Sequence, residues 1–110
     1  MKIIVTHLSP DLDAIASVWL IKKYLTDWND TQVKFVPSGT TLNNQSPDSD
    51  KNIIHVDTGL GKFDHHQTND YTSATKLVYK YLIGRDLIEE KEIKALEKIV
   101  EYVNSTDHFA

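Results

Sequence analysis

Residues 2–13 read Lys2-Ile3-Ile4-Val5-Thr6-His7-Leu8-Ser9-Pro10-Asp11-Leu12-Asp13, and this stretch decides the fold. Lys2 to Thr6 is β-branched and apolar on both faces, the pattern of a buried parallel strand. Ser9-Pro10 then reads as a helix start, with serine as N-cap and proline at the first helical position. Leu12, Ile15, Ala16, Trp19 and Leu20 recur at helical spacing and should pack on a sheet. A strand feeding directly into such a helix opens a layered α/β domain.

Outward from this unit, Gln32 to Val36 reads as a second strand, ended by Pro37-Ser38-Gly39. Residues 40 to 51 are polar and read as a loop. Asn52 to Val56 is a third strand. Gly59 and Gly61 turn the chain, and Lys62-Phe63 begins a short fourth strand. Thr72-Ser73 caps the next helix, whose buried face carries Leu77, Val78, Tyr81 and Leu82 and which Gly84 ends. Asp86 and Glu89 have capping-box spacing before a last helix, where Ile93, Leu96, Val100 and Val103 form one apolar stripe. The order predicts a three-layer α/β fold, a mostly parallel β-sheet flanked by helices, with residues 1–110 as one domain.

Composition narrows the function. The chain has 110 residues, 40% hydrophobic and 25% charged, which suits a globular domain. It has no cysteine, so disulfides and thiolate metal sites are excluded. The first apolar run is too short for a signal peptide, and no segment reaches the length of a membrane span. The expectation is a cytoplasmic protein with no membrane partner. A net charge of −4 argues against a basic face for duplex nucleic acid. Cations held among the aspartates would offset that charge locally, so a short anionic substrate stays admissible.

The chemistry-bearing residues come in ordered clusters. His7, Asp11 and Asp13 follow the first strand, Asp57 follows the third, and Asp64-His65-His66 comes soon after. In parallel sheets, sites form at the carboxyl ends of strands, which is where these residues fall. Two divalent cations about 3.5–4 Å apart can hold hydroxide and stabilise an in-line displacement at phosphorus. Such a site needs carboxylates to neutralise charge and to bridge, and it accepts imidazoles. A mixed Asp/His set suits Mn²⁺, with Mg²⁺, Co²⁺, Fe²⁺ or Zn²⁺ as rivals.

His7-Leu-Ser-Pro-Asp11-Leu-Asp13, Val56-Asp57, Asp64-His65-His66 and Asn104-Ser-Thr-Asp107 resemble, in order, the motifs of the DHH phosphoesterase superfamily. The resemblance implies that His7 and Asp11 bind one metal, that Asp13, His65 and Asp107 bind the other, and that Asp57 bridges them. It implies that His66 orients or protonates substrate and that Asp64 positions a neighbouring histidine. The implied activity is metal-dependent hydrolysis of a phosphodiester or phosphomonoester of a small nucleotide or short oligonucleotide. Asp64-His-His-Gln67 further resembles the exonuclease-like branch of that superfamily. Relatives of that kind carry a C-terminal substrate domain, and only three residues follow Asp107. The chain then reads as a fragment or a minimal form, whose groove a homodimer or a partner domain could complete. Lys62 and Arg85 are the basic side chains that could meet a phosphate.

Each cluster also has a bland reading. Asp11 and Asp13 could merely complement a helix dipole. Asp57 could be a turn residue before Thr58-Gly59. Asp107 could sit in a frayed helix end. His55 and His108 read as structural or solvent-facing, and Trp19 and Trp28 as packing. Two alternatives to the phosphoesterase stay open: a manganese-dependent inorganic pyrophosphatase, and a metal- or nucleotide-binding module without turnover.

Overall fold

Valine and isoleucine on both faces put the first strand at the centre of the sheet. The computed structural model describes residues 2–66 and 72–109, the last two through their backbone alone. Strand β1 (Ile3–His7) lies between β2 (Gln32–Val36) and β3 (Ile53–His55) and is parallel to both. Ile4 stands opposite Val33 and Ile54, and Val5 opposite Lys34 and His55. Helix α1 (Leu12–Tyr24) joins β1 to β2. Helices α2 (Ala74–Gly84) and α3 (Glu90–Phe109) follow β3. The molecule is thus a small α/β structure with a three-stranded parallel sheet and three helices among the described residues.

The helices gather on one face of the sheet. Ile4 packs in one apolar cluster with Leu20 and Ile21 of α1, Val78 and Leu82 of α2, and Leu96 of α3. Val33 and Ile54, on the same face, border that cluster. The opposite face carries Val5, Lys34 and His55. There the polar segment after β2, with its 3₁₀ turn Leu42–Asn44, folds back on β3. Leu42 donates its N–H to His55 Nε2 at 3.1 Å, and the Pro47 carbonyl lies 3.0 Å from His55 Nδ1. This corrects the expectation of helices on both sheet faces. A loop supplies the second cover.

Three local expectations are also corrected. The cap of α1 is Asp11, whose side chain accepts the Ala14 N–H at 2.9 Å; Ser9 instead takes a positive φ of 55° in the preceding turn. The inward face of α1 is Asp13, Ala14, Ala16, Ser17, Leu20 and Ile21, whereas Leu12, Ile15 and Trp19 are exposed. Small residues face inward because α1 packs closely on α2 and directs Asp13 towards it. Lys62-Phe63 forms no strand. Residues 57–63 make a tight loop in which Asp57 donates its N–H to the Phe63 carbonyl at 2.9 Å. Gly59 permits the loop, for its φ is +82° and a Cβ there would meet the Thr41 methyl at 2.7 Å.

The second and third helices follow their apolar stripes. Ser73 caps α2 through its hydroxyl, which accepts the Lys76 N–H at 3.1 Å. Leu96, Val100 and Val103 are buried along α3. Gly84 is the last residue of α2, but the left-handed step that ends the helix falls on Asp86, with φ 57°. Leu87 N–H reaches the Leu82 carbonyl and Asp86 N–H the Ile83 carbonyl, a Schellman closure. Asp86 is therefore spent on ending α2, and it starts no capping box: α3 begins at Glu90.

Candidate metal centre

Three chain segments converge beyond the carboxyl ends of β1 and β3. His7 is the last residue of β1, Asp11 caps the helix that follows, and Asp13 sits in its first turn. Asp57 stands two residues past β3, and the 57–63 loop returns the chain so that Asp64, His65 and His66 lie beside it. Asp107 comes from the last turn of α3.

The convergence produces three overlapping sets whose ligand atoms lie within 4.8 Å of one another: His7, Asp11 and Asp57; Asp13, His65 and Asp107; and Asp57, His65 and His66. Asp57 and His65 are the shared members, each in two of the three sets, and Asp57 is the shared carboxylate. Its Oδ2 lies 3.0 Å from His7 Nε2, and its Oδ1 lies 3.5 Å from His65 Nε2 and 3.8 Å from His66 Nε2. His65 Nε2 is also 3.0 Å from Asp107 Oδ2 and 3.6 Å from Asp13 Oδ2. Asp11 is the outlying, exposed member, 3.9 Å from His7 Nε2. The six residues named from the sequence as metal ligands are thus brought together, with His66 half exposed beside them and Asp64 buried behind it.

Hydrogen bonds fix the His7 and His66 rings so that one nitrogen of each faces the carboxylates. His7 Nδ1 donates to the Leu8 carbonyl at 3.0 Å, which turns Nε2 towards Asp57. His66 Nδ1 donates to Asp64, turning its Nε2 towards Asp57. Asp64 is buried and itself anchored, accepting N–H bonds from Leu60 at 2.8 Å and His66 at 3.2 Å. Asp64 therefore positions His66 and lies behind it.

Asp13 has a role that the sequence reading missed in part. It is buried at the N-terminus of α2 and takes the Ala74 and Thr75 N–H groups at 3.0 and 2.8 Å. The Thr75 hydroxyl adds a bond of 2.6 Å. A carboxylate suits a helix N-terminus, where N–H groups lack partners in the helix itself. Thr75 is a further positioning residue, and the signal for it is three hydroxyl residues, Thr72, Ser73 and Thr75, around a helix start. With Oδ1 doubly bonded, Asp13 offers Oδ2 towards His65.

The electrostatics follow from crowding. Asp57 is pushed up to about 7, first by burial and then by the neighbouring charge of Asp13, with His7 opposing. Burial works against the charged form of His7, but the Leu8 carbonyl, Asp57 and Asp11 together raise it. Burial likewise opposes the charged form of His66, and Asp64 outweighs it. Asp57 Oδ1 is buried and accepts no hydrogen bond among the described residues. A buried anionic oxygen without a donor is costly, and a cation is the usual remedy. The donor set of imidazole nitrogens and carboxylate oxygens, without sulfur, fits a divalent cation such as Mn²⁺.

Lys62 and Arg85 stand apart. Both line a cavity of about 440 Å³ that includes none of the Asp/His residues of the three sets. Gln67 lies outside the described residues, as does the side chain of His108. No helix among the described residues is long and apolar enough to cross a membrane.

One family model matches the chain, that described as ChrB, C-terminal domain, over residues 4–110. No curated protein and no solved structure matches. The match corrects the resemblance drawn from the motifs. The DHH phosphoesterase superfamily and its exonuclease-like branch are not the family of this chain, and the hydrolase assignment loses the support it took from them. Short Asp/His motifs report local chemistry, and a pocket of the same chemistry does not establish descent. The match spans nearly the whole chain, and the protein belongs to the ChrB C-terminal domain family.

Proposed function

We propose that the pocket holds two divalent cations, a reading the Asp/His geometry supports, and that the protein uses them to hydrolyse a phosphate ester, with a small nucleotide or short oligonucleotide as the substrate to test first. The observation that carries the reading is Asp57. It is a buried carboxylate with one oxygen on His7 and the other facing His65 and His66, common to two of the three ligand sets. A bridging carboxylate has this placement. Mn²⁺ is the first choice, and a cysteine-free chain suits a reducing cytoplasm.

The division of labour follows the contacts. His7 and Asp11, with Asp57, would hold one cation; Asp13, His65 and Asp107 would hold the other, with Asp57 between. Bound there, the cations would lower the pKa of water and polarise a phosphoryl oxygen. The chain's own residues supply position and protons. Leu8 and its carbonyl keep His7 Nε2 facing inward. The N-terminus of α2 holds Asp13 in one orientation through three donors. His66 is half exposed at the mouth, and its raised pKa lets it carry a proton on Nε2 towards an incoming phosphoryl oxygen or leaving group. Asp64 keeps its ring in that orientation.

The test is hydrolysis of bis(p-nitrophenyl) phosphate and of a short single-stranded oligonucleotide with Mn²⁺, comparing the wild type with Asp57→Asn. Release that requires Mn²⁺ and is lost in the variant supports the reading. Equal rates in both proteins would remove the bridge and the mechanism with it. Tight Mn²⁺ binding with no turnover of either substrate would identify a metal-binding module.

A further inference from the structure

We propose that the cavity beneath Lys62 and Arg85 is a second site, independent of the Asp/His pocket, and that it takes a small sugar phosphate of nucleoside monophosphate size. The cavity lies between the C-terminal end of α2, strand β3 and the segment 48–51, and its volume of about 440 Å³ suits such a ligand. It shares no residue with the three ligand sets.

Two cations converge on one aromatic ring at its rim. Lys62 Nζ is 5.0 Å and Arg85 Cζ 4.5 Å from the centre of the Tyr81 ring. Lys62 also lies 5.2 Å from the Phe63 ring, which packs edge-on against Tyr81. Among the described residues, neither cation has a carboxylate within ion-pair distance, although Lys76 and Lys91 both do. A cation resting on a ring keeps its N–H donors for a ligand, and the fork of an arginine matches phosphate.

The remaining walls define the rest of the ligand. Trp28, Leu25 and Ile53 form an apolar floor. Lys51 adds a third positive charge to the lining, and Asp48 and Asp50 add two carboxylates. Those two carboxylates are held by the backbone, one oxygen of Asp48 accepting the Lys62 N–H and one of Asp50 the Asn52 N–H, each at 2.9 Å. Each is left an oxygen that can accept from a sugar hydroxyl. Cations for a phosphoryl group, acceptors for hydroxyls and an apolar floor for a ring together describe a nucleotide.

Trp28 lines the cavity and reports on it, so the experiment uses a Trp19→Phe variant of the full chain, in which Trp28 is the remaining tryptophan. Adenosine 5′-monophosphate, adenosine and inorganic phosphate are titrated in turn, with EDTA keeping cations out of the Asp/His pocket. The nucleotide should give a saturable change in Trp28 emission, and the same constant should appear by calorimetry. Lys62→Ala and Arg85→Ala should each weaken it about tenfold. Lys62→Gln and Arg85→Gln repeat the test, with circular dichroism showing that each variant is folded. Adenosine should not bind, and phosphate should bind more weakly than the nucleotide. No saturable binding of the nucleotide, an unchanged constant in the variants, adenosine binding as well as the nucleotide, or phosphate binding equally well would each overturn the proposal. Because cations are absent throughout, these outcomes are separate from the hydrolysis test.

Discussion

His7 and His55 end adjacent parallel strands of one sheet, each after an apolar run, yet they live in opposite chemical states. His55 is buried with both ring nitrogens satisfied by backbone: Nδ1 donates to Pro47 and Nε2 accepts from Leu42. Burial lowers its pKa, and its lone pair is already in use. His7 has only Nδ1 on a backbone group, and its Nε2 faces the Asp57 carboxylate. Its pKa is raised. The lesson is that a ring can serve a ligand only when the fold leaves one nitrogen without a backbone partner and aims it at further donors.

The sharpest way to break this comparison is to exchange the demands on the two places. Asp57→Asn should weaken Mn²⁺ binding at least about 100-fold in calorimetry, because a shared ligand is lost. It should raise the melting temperature of the cation-free protein, because a buried carboxylate with an unsatisfied oxygen is replaced by a neutral amide. Asparagine tolerates the positive φ of 57° at this position, so the backbone is not at issue. If cation affinity is unchanged, the Asp/His pocket is not a metal centre.

Asp13→Ala should come next, costing about 2–3 kcal/mol in denaturant unfolding, because two N–H groups and the Thr75 hydroxyl lose their acceptor inside the protein. His55→Leu should cost about 1–3 kcal/mol, stranding the Leu42 N–H and the Pro47 carbonyl, while Mn²⁺ affinity stays within about twofold. A large loss of cation affinity in His55→Leu would erase the distinction between the two histidines.

A fourth prediction concerns pH. The folded, cation-free protein keeps a proton on Asp57 up to about 7, whereas the unfolded chain releases it near 3.8. The folded state thus binds more protons across that window, and stability falls as pH rises through it. His7 and His66 act in the same direction, since a raised histidine stabilises below its unfolded value of 6.5 and loses that contribution as pH rises through its folded value. His55 acts the opposite way, costing stability as pH falls below 6.5. Melting temperatures in EDTA should therefore drop between about pH 5 and pH 8 relative to Asp57→Asn. With Mn²⁺ the trend should reverse, because ligation needs deprotonated groups. The smallest effect belongs to Asp11→Ala, about 1 kcal/mol from the lost N-cap.

Much of the element pattern was legible in the sequence because it rests on local periodicity. β2 spans Gln32–Val36 and stops before Pro37-Ser38-Gly39, as the sequence suggested. Ser73 caps α2, and the stripe through Leu96, Val100 and Val103 is the buried edge of α3. The failures have specific causes. The apolar spacing in α1 pointed to Leu12, Ile15 and Trp19 as its core face, but close approach to α2 selected small residues instead. Asp86 has the side chain of a cap, but the end of α2 took it first. Lys62 and Arg85 looked like hands for a phosphate at the Asp/His pocket, but the fold gathers them around Tyr81 in another cavity. The motif resemblance failed differently, for a few Asp and His residues at matching spacings can recur in a different family.

By itself the sequence determined the kinds of donor available, the strands and helices, and the ordering of acids and imidazoles after them, because side-chain chemistry and local periodicity are written residue by residue. Only the tertiary structure decided which atoms share a pocket. That Asp57 faces His7, His65 and His66, that Asp13 sits on the start of α2, and that His55 is closed off by the loop around Pro47 all depend on contacts between segments far apart in the chain. Such contacts arise where the apolar faces of the elements happen to bury together, and no local pattern carries that information.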